Sequence, residues 1–224
     1  MLKRLKNFKL MLLETLSPNY AKKIANEFWN NCRLTHSDMS EDMFKYYYEQ
    51  IKNTIGPSKN NSILDYGCGF GEISWFFSKD GYNIECCDIS SYCVERAKKL
   101  GLTSYLCSEL INSSKKYDII FINNAFFYIH PEYRKNILTI LHSKLNPSGK
   151  LYILDEPDYS KRKLVNMSKL RYIFTSLFPV YQQEMAGFFN KPNKTQIYGL
   201  SCGFKNVEVM DSWCSYRSHF IFYK

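Results

Sequence analysis

Apolar positions change period along the chain. From the amino terminus to about residue 55 they recur at helical spacing: Leu5, Phe8, Met11 and Leu12, then Ile24 and Phe28, then Phe44, Tyr47, Tyr48 and Ile51. A three-to-four-residue beat marks helices with one buried stripe. It predicts a helical cap over residues 1–56, closed by the turn-forming run GPSKNNS at Gly56–Ser62. From Ser62 short apolar runs alternate with helical patterns. Strands are predicted at SILDY, YNIECCDI, TSYLCSE, YDIIFINN and, after an NPSG turn, KLYILDEP. Helices are predicted at GEISWFFSKDG, at SSYCVERAKKLG and from about Pro131 to Leu145. Such alternation implies a parallel sheet with helices on both faces. Residues 160–190 read as a helical, aromatic-rich insertion, and NVEVMDSW and YRSHFIFYK as two antiparallel closing strands. Residues 57–224 are therefore expected to form one α/β domain around a seven-stranded, mostly parallel sheet.

Composition supports a folded domain and adds little else. At 224 residues, with 45% hydrophobic and 23% charged residues, the chain suits a single core and excludes a disordered one. Its net charge of +9 comes from 23 Lys but 7 Arg, a bias that A+T-rich coding also produces. The charge is thus a weak pointer to an anionic partner. The eight cysteines include the adjacent Cys86 and Cys87 and show no CxxC spacing, so buried thiols in a reducing, cytoplasmic setting are expected rather than disulfides or a metal centre. The apolar part of MLKRLKNFKLMLLETL is interrupted by Lys9 and Glu14, which predicts neither a signal peptide nor membrane insertion.

Candidate chemistry begins at ILDYGCGFGE, Ile63–Glu72. A glycine turn after the first strand of a βαβ unit lets backbone N–H groups and the next helix approach a ligand closely. Dinucleotide sites favour GxGxxG, but here the third-glycine position is Glu72 and the glycine falls one residue early, at Gly71. What stands instead is an acid and then GxGxG: Asp65, Gly67, Cys68, Gly69, Gly71. A second acid, Asp88, ends the next strand ahead of Ile89, where a carboxylate can accept from both hydroxyls of a ribose.

This ordered set resembles the class I S-adenosylmethionine-dependent methyltransferases over about Ser62–Pro157. The resemblance implies a Rossmann-like fold, S-adenosyl-L-methionine as cofactor, and a glycine loop lying against its methionine part. Asp65 would help organise the amino group, Asp88 would hold the ribose, and Ser108 or Glu109 would face the adenine. Cys68, Ile89 and Asn123 are further candidate cofactor contacts, and Asn123 ends the fourth strand. The exit there reads Asn123, Asn124, Ala125, Phe126, without the two prolines carried by many enzymes that methylate amino groups of adenine, cytosine or glutamine.

Methyl transfer needs a base only where the acceptor must lose a proton. His130 follows the fourth strand and is the candidate catalytic base, with a helix start at Pro131 as the alternative use of the same residue. Tyr128, Asp155, Glu156 and His36 are candidate substrate contacts. The aromatics Tyr172, Phe174, Phe178, Tyr181, Phe188 and Phe189 read first as core packing and, if the insertion folds over the pocket, as a lid of the kind that accompanies small acceptors. The expected function is O-methylation of a small molecule such as a sugar, a nucleotide-linked sugar or a phosphorylated metabolite. Rival readings are a tRNA or protein methyltransferase, a non-catalytic scaffold and a nicotinamide-dependent oxidoreductase. The glycine spacing speaks against the last.

Overall fold

In the computed structural model, which describes residues 10, 12–31, 41–178, 180–181 and 187–224, the strand-like runs become β1 (Ser62–Tyr66), β2 (Asn83–Asp88), β3 (Ser104–Leu106), β4 (Tyr117–Asn123), β5 (Leu145–Pro157), β6 (Asn206–Asp211) and β7 (Arg217–Tyr223). The helices are α1 (Pro18–Asn31), α2 (Glu41–Ile55), α3 (Glu72–Lys79), α4 (Ser91–Lys99), α5 (Cys107–Asn112), α6 (Pro131–Ser143), α7 (Lys169–Leu177) and α8 (Pro192–Ser201). Residues 12–16 are also helical. His36 lies outside the described residues.

The seven strands form one sheet in the order β3-β2-β1-β4-β5-β7-β6. Neighbours among β1–β5 run parallel, whereas β7 is antiparallel to both β5 and β6. The strand order reverses direction between β1 and β4. In open α/β sheets a crevice opens at the carboxyl ends of the strands at such a point.

Successive residues of a strand face opposite sides of the sheet, and the core divides accordingly. Ile120 and Ile122 of β4 join Leu138 and Leu141 of α6 and Phe220 and Phe222 of β7 on one face. Ile119 and Phe121 join Ile51 and Ile55 of α2, Phe77 of α3 and Ile221 of β7 on the other. Both faces being covered, the central strands are near-continuous apolar runs rather than alternating ones. Tyr48, Ile51 and Ile55 bury one side of α2 against the sheet. Burial of such a side chain contributes about 1.5–3 kcal/mol.

Three local expectations are corrected. The third strand stops at Leu106, because Cys107 begins α5. The Glu109 carboxylate accepts from the Leu106 N–H at 2.9 Å, a first-turn bond that starts the helix, and Leu110 is buried. The NPSG segment is not a separate turn: β5 begins at Leu145, and its pairing with β4 shifts register between Tyr117 and Ile119. Asn146 Nδ2 donates to Asp118 Oδ1 at 2.7 Å across that irregularity. Residues 192–201, left unassigned by the apolar pattern, form α8, whose exposed Ile197 and Leu200 blur its amphipathic stripe.

The insertion is helical in part. A 3₁₀ segment at Tyr159–Leu164 and α7 lead to Val180, which bridges Phe188 in an antiparallel contact. Val180 and Phe188, with Phe174 and Phe178 against them, form a small core of their own. Phe188 N–H donates to Phe127 O at 2.7 Å, tying this cluster to the exit of β4.

Candidate functional site

Strand β1 delivers Asp65 to the sheet interior rather than to its rim. The residue is buried, and its Oδ2 accepts from the Ser74 hydroxyl of α3 at 2.7 Å, clamping the strand to the helix that follows the glycine loop. Burial pushes its carboxyl up to about 7, against the lowering effect of the Ser74 bond. The loop then folds back on β2, with Gly67 and Cys68 N–H both donating to Cys87 O, at 2.8 and 3.1 Å.

Gly69 and Gly71 are glycines for different reasons. Gly69 has φ +56° and nothing within 4 Å of where a Cβ would stand, so only its backbone conformation demands glycine and its outer side is open. Gly71 has φ +88°, and a Cβ there would meet Leu102 Cδ1 at 2.8 Å and Ala97 Cβ at 2.9 Å. Its bare backbone lets the start of α3 lie against the end of α4.

Asp88 closes β2 beneath this loop. One carboxylate oxygen accepts from the Gly69 N–H and the other from the Ser90 N–H, each at 2.9 Å. Burial raises the Asp88 pKa, and these backbone donors oppose the rise. Each oxygen keeps a further lone pair, so two more donors can be accepted. The cap of α4 is Ser90, whose Oγ accepts from Cys93 N–H, not Asp88 itself. Ile89, beside it, is 41% exposed. Ser108 and Glu109 sit in the first turn of α5, at the end of β3. The Asn123 Oδ1 at the end of β4 is buried without a hydrogen-bond partner. A paired acceptor, an open glycine backbone and an orphaned buried acceptor fit a ligand carrying a diol and an ammonium group.

His130 is the N-cap of α6. Its Nδ1 accepts from Glu132 N–H at 3.3 Å and its Nε2 lies 3.1 Å from the Thr15 carbonyl, which fixes the tautomer with the proton on Nε2. Both ring nitrogens are engaged. Tyr128 lies against the rings of Phe127 and Trp29, at 4.1 and 5.8 Å between centroids.

The amino-terminal segment bridges both ends of the crevice. Beyond the Thr15 contact, Tyr133 Oη of α6 donates to Asn19 Oδ1 at 2.5 Å. At the far end of α1, Asn30 Oδ1 accepts from Ser90 Oγ at 2.8 Å, next to Asp88. Helix α1 therefore runs from the α6 start to the α4 start.

A cluster that sequence reasoning missed surrounds Asp155. Asn124 and Asp155 have φ of +52° and +55° at the ends of neighbouring strands, a conformation that costs non-glycine residues free energy and gathers at functional sites. At Asp155 the β5–β7 pairing also shifts register, which turns the carboxylate out of the ladder. Arg217 joins the two strained positions: its Nη1 donates to Asn124 Oδ1, to Asp155 O at 2.5 Å and to Asp155 Oδ2 at 3.1 Å. Ser212 Oγ donates to Asp155 Oδ1 at 2.5 Å, and His219 Nδ1 accepts from Asp155 N–H. The guanidinium lies over Phe127, Tyr181 and Tyr216. Burial alone would lower the Arg217 pKa, but the Asp155 carboxylate, Tyr181 and Tyr216 together outweigh it and the net shift is upward. The hint in the sequence was one arginine opening the last strand and one acid closing the fifth. Their meeting depends on the strand order.

Glu156, by contrast, is fully buried with both carboxylate oxygens unpartnered, and burial pushes its pKa up to about 8. Among the described residues no group of three His, Cys, Asp or Glu side chains could hold a metal ion, and no helix is long and apolar enough to cross a membrane.

Comparison with known proteins identifies the family and the fold. A family profile described as a methyltransferase domain covers residues 39–189. A malonyl-[acyl-carrier protein] O-methyltransferase from Ilyobacter polytropus is 38% identical over 139 residues, covering 58% of this chain and 51% of that protein, so the match spans about half of its length. An uncharacterized methyltransferase from Alkaliphilus oremlandii is 27% identical over 150 residues, covering 63% of this chain and 69% of that protein. Among solved structures, magnesium protoporphyrin IX methyltransferase from Synechocystis with bound SAH superposes with a TM-score of 0.65 at 16% identity, covering 91% of this chain and 99% of the other.

Proposed function

This chain belongs to the methyltransferase-domain family as a class I S-adenosylmethionine-dependent methyltransferase, and we propose that it methylates a carboxylate oxygen of a small molecule or carrier-held acyl group. The single observation behind the acceptor class is His130, whose two ring nitrogens are both held by backbone groups. An acceptor oxygen that is already ionised needs no base to take its proton, and positioning supplies most of the acceleration.

Bound S-adenosylmethionine supplies an electrophilic sulfonium methyl group. Asp88 accepts from the ribose diol while the Gly69 and Ser90 N–H groups keep its carboxylate oriented. Asn123 Oδ1 accepts from the ammonium of the methionine part. Ile89 and the α5 start, with Ser108 and Glu109, flank the base. Arg217 orients the acceptor carboxylate through guanidinium N–H groups beyond those taken by Asn124, Asp155 and Tyr181. Helix α1, with Trp29 against Tyr128, and the cluster around Phe188 limit water at the reacting atoms.

The relative named as a malonyl-[acyl-carrier protein] O-methyltransferase supports an oxygen acceptor of this kind. A sugar, nucleotide-linked sugar or phosphorylated metabolite finds no such support.

Incubation with methyl-labelled S-adenosylmethionine and separate acceptors, namely a malonyl thioester, a free dicarboxylate and a sugar, tests the reading. Label that appears on the carboxylates and is released as methanol in alkali identifies a methyl ester. Label found only on the sugar, stable to alkali, would replace the carboxylate by a hydroxyl.

A further inference from the structure

A second cluster of donors lies away from the glycine loop, between the starts of α6 and α8. Arg134, Asn190, Lys191, Lys194, Thr195 and Tyr198 line a cavity there, and none of its lining residues is acidic. Arg134 is buried; Nε donates to Ile129 O, Nη1 to Asn190 Oδ1 and Nη2 to Phe188 O. A guanidinium carries five N–H groups, so one on each Nη remains after those bonds.

Asn190 is fully buried, and two donors, Arg134 Nη1 and Thr195 Oγ1, fix its carbonyl oxygen, so the amide cannot be reversed. Its Nδ2 is left buried without a partner, a donor that awaits an acceptor. The helix that starts beside it, α8, is ten residues long. Its N-cap Lys191 provides no side-chain acceptor, Pro192 has no N–H, and no acid stands in its first turn. The start of α8 thus directs N–H groups and a positive dipole end at the same space, uncapped. Lys191 and Lys194 are exposed, their ammonium groups lying over the rings of Tyr159 and Tyr198.

We propose that this cavity is a binding site for a tetrahedral oxyanion, a phosphate either free or esterified, separate from the methyl-donor cradle. Donors from a guanidinium, an amide and a helix start, with two exposed lysines lining the same cavity, need an acceptor with lone pairs in several directions. Phosphate has them on every oxygen, whereas a planar carboxylate answers fewer of these directions at once. The assignment stands whether or not the acceptor of methyl transfer is a carboxylate.

Thermal melts of the full chain in sodium phosphate, against sodium chloride and sodium acetate at equal ionic strength, test it. Phosphate is expected to raise Tm saturably beyond both. In the exposed double variant Lys191→Gln/Lys194→Gln, half-saturation is expected at about tenfold higher phosphate. S-adenosylhomocysteine affinity by calorimetry is expected to be equal in both proteins, which also reports that the variant is folded. Tighter binding of phenyl phosphate than of inorganic phosphate assigns the site to an esterified ligand, and equal or weaker binding to the free ion. Phosphate acting no better than chloride, acetate matching phosphate, or a double variant with the full response would each overturn the proposal.

Discussion

The Asp88 carboxylate accepts a hydrogen bond from the Gly69 N–H at 2.9 Å, so the acid that ends β2 and the middle glycine of the loop after β1 hold one another in place. Replacing Asp88 by Ala removes both the diol acceptor and the loop's anchor. S-adenosylhomocysteine binding, followed by calorimetry, is expected to weaken by about tenfold or more, since two charge-assisted hydrogen bonds are lost. Unchanged affinity would move the ribose contact elsewhere.

The two glycines should separate stability from binding. Gly71→Ala forces a Cβ into Ala97 and Leu102 at a positive φ, and is expected to lower unfolding free energy by about 2–4 kcal/mol in urea titrations. Gly69→Ala meets open space and incurs only the backbone strain, about 1 kcal/mol. Its larger effect is expected on cofactor affinity, because the added methyl faces the open side of the loop.

His130→Ala should lose the N-cap and cost about 1 kcal/mol of stability, and His130→Asn, a good capping residue, should restore it. Turnover of the Asn variant is expected to stay within a few-fold of the parent. A loss of about a hundredfold or more in kcat with normal stability would make His130 the base after all.

Arg217 and Asp155 form an ion pair with 11% and 5% of their side chains exposed. Asp155→Ala leaves the guanidinium buried without its partner and should destabilise by about 3–5 kcal/mol. The double change Asp155→Ala/Arg217→Met is expected to recover part of that stability while losing acceptor binding, seen as a raised KM. A double variant no more stable than Asp155→Ala alone would show that Arg217 holds the fold through its other contacts.

Glu156 sets a pH slope opposite to that of surface acids. Its folded pKa of about 8 lies above the ordinary 4.5, so the folded state holds the proton more tightly than the unfolded chain. The stability this proton provides is complete below about pH 4.5 and is lost as pH rises toward about 8. Urea titrations at pH 5 and pH 8 should therefore show a smaller fall for Glu156→Gln than for the parent chain. Equal falls would mean that Glu156 titrates normally.

Much of this architecture is carried by local pattern. The glycine loop, Asp65, Asp88 and most strands and helices follow from apolar spacing and turn residues within a dozen positions, because secondary structure answers to near neighbours. Where the apolar pattern and the fold part, a local competitor decides: Glu109 bonding back to Leu106 turns a strand's end into a helix. What spacing could not supply is the meeting of distant residues. Arg217 reaches Asn124 across 93 positions only because β7 inserts beside β5, and Asn30 reaches Ser90 across 60 only because α1 ends at the α4 start. The same holds for His130, whose position after β4 was plain in the sequence, while the Thr15 carbonyl that engages its second nitrogen came from 115 residues away. Hydrophobic periodicity records which face of an element is buried, not what it is buried against. Strand order and helix docking, which minimise exposed apolar surface over the whole chain, decide that.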